Sequence, residues 1–241
     1  GKLIKKCNNR KKLVISSKVG FLPFDIKEPK NYDEYFNKRF IKSGIINKKN
    51  IYGDWQCFHP EYIKWQLNES LNRLNSDYID IYYLHNPDEL LDYIKPEKFY
   101  MLIADAFKYL NKMIYVGKIR YIGISTWNGF QRSENKLDLN KLISISKKTL
   151  DLDVFKFIQV PFNLGMTNVL TKKDQLNSKT GKKCSLIHLS NYYNLDVMTS
   201  APLYHGKLLN IKLPQKINSI FKDVKDNAGI SLKFALSNPG A

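Results

Sequence analysis

The sequence predicts an α/β protein built around one parallel sheet. Two observations indicate this fold: short apolar runs rich in β-branched and aromatic residues recur along the chain, and helical stretches lie between them. Alternation of strands and helices implies parallel strands joined by crossovers. The 241 residues suffice for one large domain, and no linker or internal repeat divides them.

Five apolar runs are predicted strands, and six segments are predicted helices. The strands are residues 13–17, 79–84, 119–124, 155–158 and 195–199. The helices are residues 62–74, 99–115, 139–150, 184–193, 215–224 and 228–237. The first of these helices places an apolar face at Ile63, Leu67, Ser70, Leu71 and Leu74. Pro60 precedes it, and Gly117 is the predicted C-cap of the second helix.

Residues 21–59 form a long, polar, Lys/Asn-rich insertion after the first strand. A loop of this length inside a compact domain is usually a functional lid or a flexible excursion.

Composition argues for a globular chain, with 43% hydrophobic and 13% aromatic residues. No apolar run reaches the length of a membrane span, and no signal peptide is evident. The net charge of +17 would suit an anionic partner, but the lysines are spread among asparagines in loops and on helix faces. We therefore expect a solvated basic surface, part of which could steer a phosphorylated cofactor, in preference to a nucleic-acid partner, and no membrane partner.

Three cysteines, Cys7, Cys57 and Cys184, are far apart and form no CxxC pair. This spacing predicts neither a metal site nor a disulfide framework. Free thiols fit a reducing compartment, and we expect a cytoplasmic location. An organellar targeting segment upstream of Gly1 stays open.

A polar residue follows each predicted strand: Lys18, His85, Ser125, Gln159 and Ser200. Sites in parallel α/β folds form at the carboxyl ends of the strands, so these five residues are the candidate site. Each of them alone could equally be an ordinary solvated or structural residue.

Several motifs, in order along nearly the whole chain, resemble the aldo-keto reductase family. Residues 15–20 resemble the strand of the catalytic lysine, and residues 70–87 look like the signature ending at the catalytic histidine. Residues 117–125 are similar to the segment before the nicotinamide-binding serine, and residues 159–164 to that of the carboxamide-binding glutamine. Residues 201–208 look like the loop around the cofactor pyrophosphate. The Leu-His-Asn-Pro sequence at residues 84–87 most resembles that of a galactose-dehydrogenase-like subgroup.

The resemblance implies a (β/α)8 TIM barrel and hydride transfer between NADPH, with NADH as an alternative, and a small carbonyl or alcohol substrate. It makes Lys18 and His85 catalytic residues. It assigns cofactor contacts to Ser125, Gln159, Ser200, Pro202, Leu203 and Gly206. In the family a tyrosine is the general acid, an aspartate pairs with the lysine, and the lysine lowers the pKa of the tyrosine.

Two positions depart from the common family pattern. Thr126 stands where many members have asparagine, and Ser200 stands where many have a tyrosine that stacks on the nicotinamide. Because serine cannot stack, Trp127 is a candidate support for the ring and a candidate substrate contact, although a packing role at the rim is the simpler interpretation.

The resemblance also implies that roughly strands 3 to 7 of the barrel are present in residues 1–241, as a single incomplete domain. The family's aspartate and tyrosine precede the lysine strand, so we expect the sequence to be a fragment of a longer protein. Five strands cannot close an eight-stranded barrel, and open edges favour aggregation.

Three functions remain open at this point. The first is a carbonyl reductase, and the second is a regulatory or non-catalytic NADPH-binding protein on the same scaffold. The third is binding of nucleic acid or another anionic surface, which predicts steep salt dependence without NADPH. The substrate and the oligomeric state are not readable from the sequence.

Overall fold

A sheet of five parallel strands organises the chain, of which the computed structural model describes residues 1–7, 9–24, 28–53, 55–134 and 136–237. The strands run in the order β1-β2-β3-β4-β7, so each strand pairs with the next one in that series. A separate two-stranded hairpin contains β5 and β6. The bounds are β1 Ser16–Val19, β2 Ile79–His85, β3 Ile119–Ser125, β4 Phe155–Pro161, β5 Gln175–Leu176, β6 Lys183–Cys184 and β7 Asp196–Ser200.

Helices connect the strands of the main sheet. They are α1 Lys2–Lys6, α2 Tyr32–Phe36, α3 Pro60–Leu74, α4 Pro96–Tyr115, α5 Leu139–Thr149, α6 Asn168–Thr171, α7 Leu186–Tyr192, α8 Gln215–Ile220 and α9 Asn227–Leu236. A 3-10 turn, Pro87–Asp92, follows β2. Helices α3, α4, α5 and α7 each lie in the chain just before a strand of the sheet, which is the order that parallel pairing requires.

The main hydrophobic core lies between the sheet and these helices. Helix α3 buries Ile63, Leu67, Ser70 and Leu71, as its apolar spacing predicts, and Leu74 packs at the edge of the same cluster. Residues 79–84 of β2 are all buried, because β2 has a strand on each side and helices against it. The core therefore holds the carboxyl end of β2 in a fixed position.

The helix ends agree with local sequence signals. Pro60 opens α3, and Asn75 ends it in a left-handed conformation with φ of 51°. Helix α4 ends at Tyr115, and Gly117 follows with φ of 70°, a conformation that favours glycine.

Several predicted bounds differ from the structure. Strand β1 is residues 16–19 instead of 13–17, and α8 ends at Ile220 instead of residue 224. Cys184, the predicted start of a helix, belongs to β6, and α7 begins at Leu186. The insertion at 21–59 is also more ordered than a polar loop: it contains α2, a π-helical turn Asn37–Ile41 and a 3-10 turn Lys48–Asn50. Residues 238–241 lie outside the described residues.

Candidate active site

Three candidate residues from three strands meet at the carboxyl end of the sheet. Lys18 Nζ in β1 donates to Ser125 Oγ in β3 at 3.1 Å and to Gln159 Oε1 in β4 at 2.5 Å. Ser125 Oγ in turn donates to Gln159 Oε1 at 3.1 Å. Strand register explains the meeting, because Ser125 pairs with Gln159 and with His85 on the neighbouring strands.

Lys18 is half-buried at this point. Burial lowers the pKa of its ammonium group, since removing a charge from water disfavours the charged form. The two oxygen acceptors compensate in part for the lost hydration. The lysine is thus held by neutral partners within the described part of the chain.

His85 ends β2 beside this group. Its ring packs edge-on against the ring of Phe21, with centroids 5.3 Å apart. Burial and then the charge of Lys18 lower the pKa of His85 to about 4. At neutral pH the imidazole is therefore uncharged, so it can orient a carbonyl through a hydrogen bond without adding a second positive charge.

The segment after β7 forms an irregular loop with an unusual backbone. Ala201, Tyr204 and His205 have φ between 48° and 53°, and Gly206 has φ of 82°. Left-handed conformations are costly for residues with a Cβ, so the surrounding contacts must hold this loop in place. One such contact is the hydrogen bond from Asn163 Nδ2 to the Ala201 carbonyl, at 2.9 Å.

A ring contact joins this loop to the end of β3. The rings of Trp127 and His205 lie 5.0 Å apart at an interplanar angle of 33°. An open cleft of about 550 Å³ adjoins the pair. Its lining residues are Asn86, Asp88, Glu89, Trp127, Asn128, Arg132 and His205.

The predicted site residues are only partly brought together. Lys18, Ser125 and Gln159 share hydrogen bonds, and His85 stands on the strand between Lys18 and Ser125. Ser200 is the last residue of β7, and within the described ranges its hydroxyl makes no hydrogen bond to the other four. The remaining predicted residues, Pro202, Leu203 and Gly206, lie in the loop after β7. Trp127 contacts this loop through the ring of His205.

Sequence reasoning missed a buried pair next to these residues. Thr126 donates its hydroxyl hydrogen to Asp88 Oδ1 at 2.5 Å, and both residues are buried. The available signal was the position of each residue directly beyond a strand end, but nothing in the sequence shows that the two turns touch.

The residues fit a nicotinamide cofactor on the chemistry of the donor set. A nicotinamide carboxamide needs one acceptor and one donor, and the hydroxyl oxygen of Ser125 and the side-chain amide N–H of Gln159 could supply them side by side. Lys207 adds a positive charge to the loop after β7, which suits a pyrophosphate.

Comparison with known proteins shows the family of the chain. The model of the Aldo/keto reductase family matches residues 1–237, so the chain belongs to that family. An NAD(P)H-dependent D-xylose reductase I,II of Candida tropicalis is 28% identical over 167 residues, which cover 60% of this chain and 50% of that protein. Aldo-keto reductase family 1 member C13 of Mus musculus is 28% identical over 101 residues, covering 36% of this chain and 31% of that protein.

A solved structure supports the fold. The holo form of an aldo-keto reductase from Bacillus halodurans superposes on 100% of this chain and 63% of its own, with a TM-score of 0.56 and 19% identity. The family and this likeness imply a TIM-barrel fold, of which the described residues form five parallel strands. The chain spans about half the length of the curated yeast relatives it matches.

The described residues hold neither a candidate membrane span nor a candidate metal centre. No helix there is long and apolar enough to cross a bilayer. No group of three or more His, Cys, Asp or Glu side chains in the same ranges is arranged to hold a metal ion.

Proposed function

We propose that the protein containing this chain is an NADPH-dependent oxidoreductase that reduces small aldehydes or ketones, or oxidises the corresponding alcohols. The observation that carries the proposal is the convergence of Lys18, Ser125 and Gln159 beside an uncharged His85. Membership of the family supports an oxidoreductase that uses NAD(P)H. NADH remains the alternative cofactor.

In this proposal Ser125 and Gln159 hold the nicotinamide carboxamide, and the loop with Pro202, Leu203 and Gly206 surrounds the pyrophosphate. The bound cofactor supplies or accepts the hydride. Lys18 and His85 act on the carbonyl side: His85 orients the oxygen, and Lys18 supplies positive charge next to the group that delivers the proton. Trp127, steadied by His205, supports the ring where Ser200 cannot.

Similarity to relatives supports a choice of substrates to test and of a subgroup within the family. Relatives of this chain include proteins named as D-xylose reductases, which favours a small sugar aldehyde as the first substrate to test. The Leu84-His85-Asn86-Pro87 step favours the galactose-dehydrogenase-like subgroup, so D-galactose is the second. A larger panel of aliphatic and aromatic aldehydes completes the set.

The second candidate is a non-catalytic NADPH-binding protein on the same scaffold. The paired Ser125 and Gln159 side chains are compatible with it, because the groups that would hold a nicotinamide carboxamide do not by themselves require turnover. Direct cofactor binding with no turnover on any substrate of the panel would favour this candidate.

The test is NADPH oxidation by the full-length protein, followed by absorbance, with the wild type, Lys18→Met and Lys156→Met. Lys156 is a matched control because it lies on β4 and pairs with Asp153 outside the site. We expect Lys18→Met to lower kcat by about 100-fold or more, the usual cost of removing an electrostatic group beside a reacting centre. Lys156→Met should retain kcat within about twofold, as is usual for changes away from a site. Equal rates for all three proteins would contradict the role of Lys18.

A further inference from the structure

A buried hydrogen bond links the turns that follow two neighbouring strands. Asp88 lies beyond β2 and Thr126 directly follows β3, and the Thr126 hydroxyl donates to Asp88 Oδ1 at 2.5 Å. The two residues are only 4% and 3% exposed, so water cannot replace either partner. The hydroxyl also accepts from the backbone N–H of Gly129 at 2.8 Å. Only a serine or threonine hydroxyl of this size can both donate and accept here.

Gly129 is packed directly against this pair. A Cβ on Gly129 would lie 2.6 Å from both Asp88 Cγ and Thr126 Oγ1, which is too close for any side chain. The backbone carbonyl of Asp88 also accepts from Arg132 Nη1 at 3.4 Å. The turn after β3 therefore folds back over the Asp88 carboxylate and has little space in which to move.

Thr126 transmits this constraint to the candidate site. It lies between Ser125 and Trp127, and its backbone N–H donates to the Gln159 carbonyl at 3.0 Å. The N–H of Asn86, next to His85, donates to the Ser125 carbonyl at 2.6 Å. Any shift of Thr126 thus moves the residues on either side of it and loosens the link to Gln159.

The buried pair at this turn is polar, which indicates that the directional hydrogen bond between its members is required. Burying a carboxylate is costly, and an apolar pair of the same volume is often as stable or more so. A hydrogen bond, unlike an apolar contact, specifies the rotamer and the turn geometry. A fixed geometry matters most at this turn, because the turn directly follows Ser125.

We propose that Asp88 and Thr126 are positioning residues that hold Ser125 and Gln159 in the geometry that binds the nicotinamide carboxamide. This inference rests on the proposed function. Thr126 acts here through its hydroxyl on Asp88, without contact with the cofactor, although it occupies the position where many family members have asparagine. Its loss should therefore weaken nucleotide binding more than it weakens the fold.

The experiment measures the Kd of NADPH by isothermal titration calorimetry with the full-length protein. Thr126→Val keeps the shape and removes the hydroxyl, and Thr126→Ser keeps the hydroxyl. Thr149→Val is the matched control, since the Thr149 hydroxyl donates to a backbone carbonyl in α5, away from the site. We expect Thr126→Val to raise Kd about tenfold, and Thr126→Ser and Thr149→Val to stay within about threefold of wild type.

Near-ultraviolet circular dichroism shows whether each Thr126 variant is folded. A second pair of variants, at Asp88, tests the same hydrogen bond from its other side. Asp88→Asn keeps an acceptor oxygen, so Kd should remain within about threefold. Asp88→Val removes it and should match Thr126→Val, and the double variant should be no weaker than either single one. Additive effects in the double variant would overturn the coupling.

The outcomes separate the two proposals. Wild type that binds neither NADPH nor NADH overturns the proposed function and this inference with it. Wild type that binds NADPH, together with a Thr126→Val variant of unchanged Kd and lowered Tm, overturns only the inference, because the pair would then be structural.

Discussion

Two buried tyrosine hydroxyl groups differ in whether they have a partner. Tyr62 in α3 donates to the Phe21 carbonyl at 2.6 Å, whereas Tyr83 in β2 has no hydrogen-bond partner among the described residues. Burial raises the pKa of both phenols, so both stay neutral. Removing a paired hydroxyl loses a bond, but removing an unpaired one relieves a desolvated polar group.

We therefore expect opposite results from the same substitution at these two residues. Tyr62→Phe should lower the free energy of unfolding by about 1 kcal/mol. Tyr83→Phe should leave it unchanged or raise it by up to about 1 kcal/mol. Urea unfolding of both variants and the wild type measures this, and equal losses at both positions would contradict the difference.

His85 makes stability depend on pH. Its folded-state pKa of about 4 lies below the ordinary value of 6.5 that applies to the unfolded chain. Between these values the unfolded state binds a proton that the folded state does not, so stability is complete above pH 6.5 and is lost as pH falls toward 4. We expect a loss of about 2 kcal/mol after allowing for solvent screening.

The measurement is urea unfolding at about pH 7 and about pH 4.5 for the wild type and His85→Asn, values that bracket most of this titration. The variant should lack the part of the pH dependence that His85 causes, while other titrating groups contribute equally to both proteins. The same pH dependence in both would show that the imidazole titrates normally in the folded state.

At the scale of elements, strand pairing could be predicted for the interior of the sheet and not for its edge. Residues 79–84 of β2 are buried and mostly apolar, so composition alone locates this strand within one residue. Strand β1 is at an edge, where apolar residues need not be buried, and Val14 is 75% exposed. Ile15 bonds instead to Asp80 through its backbone, and the ladder begins at Ser16. Cross-strand partners, which a single sequence does not show, decide this boundary.

The insertion shows the same limit for helices. Tyr32, Phe36 and Phe40 are spaced four residues apart, and consecutive rings lie 5.9 Å apart along α2 and the π-helical turn. Trp55 also packs on Phe36, with centroids at 4.7 Å. The aromatic spacing was present in the sequence, but the surrounding lysines and asparagines favoured a loop. Helix formation here depends on packing more than on local propensity.

Motifs and strand ends predicted the candidate site residue by residue, but not its contacts. Lys18, Ser125 and Gln159 could be chosen from the sequence because each stands at the end of an apolar run. Their hydrogen bonds depend on register across three strands, and the pairing of Asp88 with Thr126 depends on how two turns meet. Both are tertiary properties, so they require the structure.

At the scale of the whole molecule, the two ends of the sheet have different roles. The carboxyl end holds the candidate active site. The amino end holds a cluster in which the Asp80 carboxylate accepts from Arg10 Nη2 at 2.8 Å, Arg120 Nη1 at 3.1 Å and the Ile15 N–H at 2.9 Å. Both guanidinium groups also lie over the Tyr78 ring, at 4.0 and 4.3 Å. In barrels of this class the amino end serves stability and the carboxyl end serves chemistry.

We expect Asp80→Ala to lower the free energy of unfolding by about 2–3 kcal/mol, because it leaves two cations and a backbone N–H without their shared acceptor. Its control is Asp105→Ala, where an exposed pair with Lys108 contributes less than about 0.5 kcal/mol. The Kd of NADPH, measured under conditions where the variant is folded, should not change. Weakened NADPH binding by folded Asp80→Ala would show that the two ends of the sheet are coupled. An unchanged Kd beside a raised one for Thr126→Val would show that stability and cofactor binding depend on separate groups.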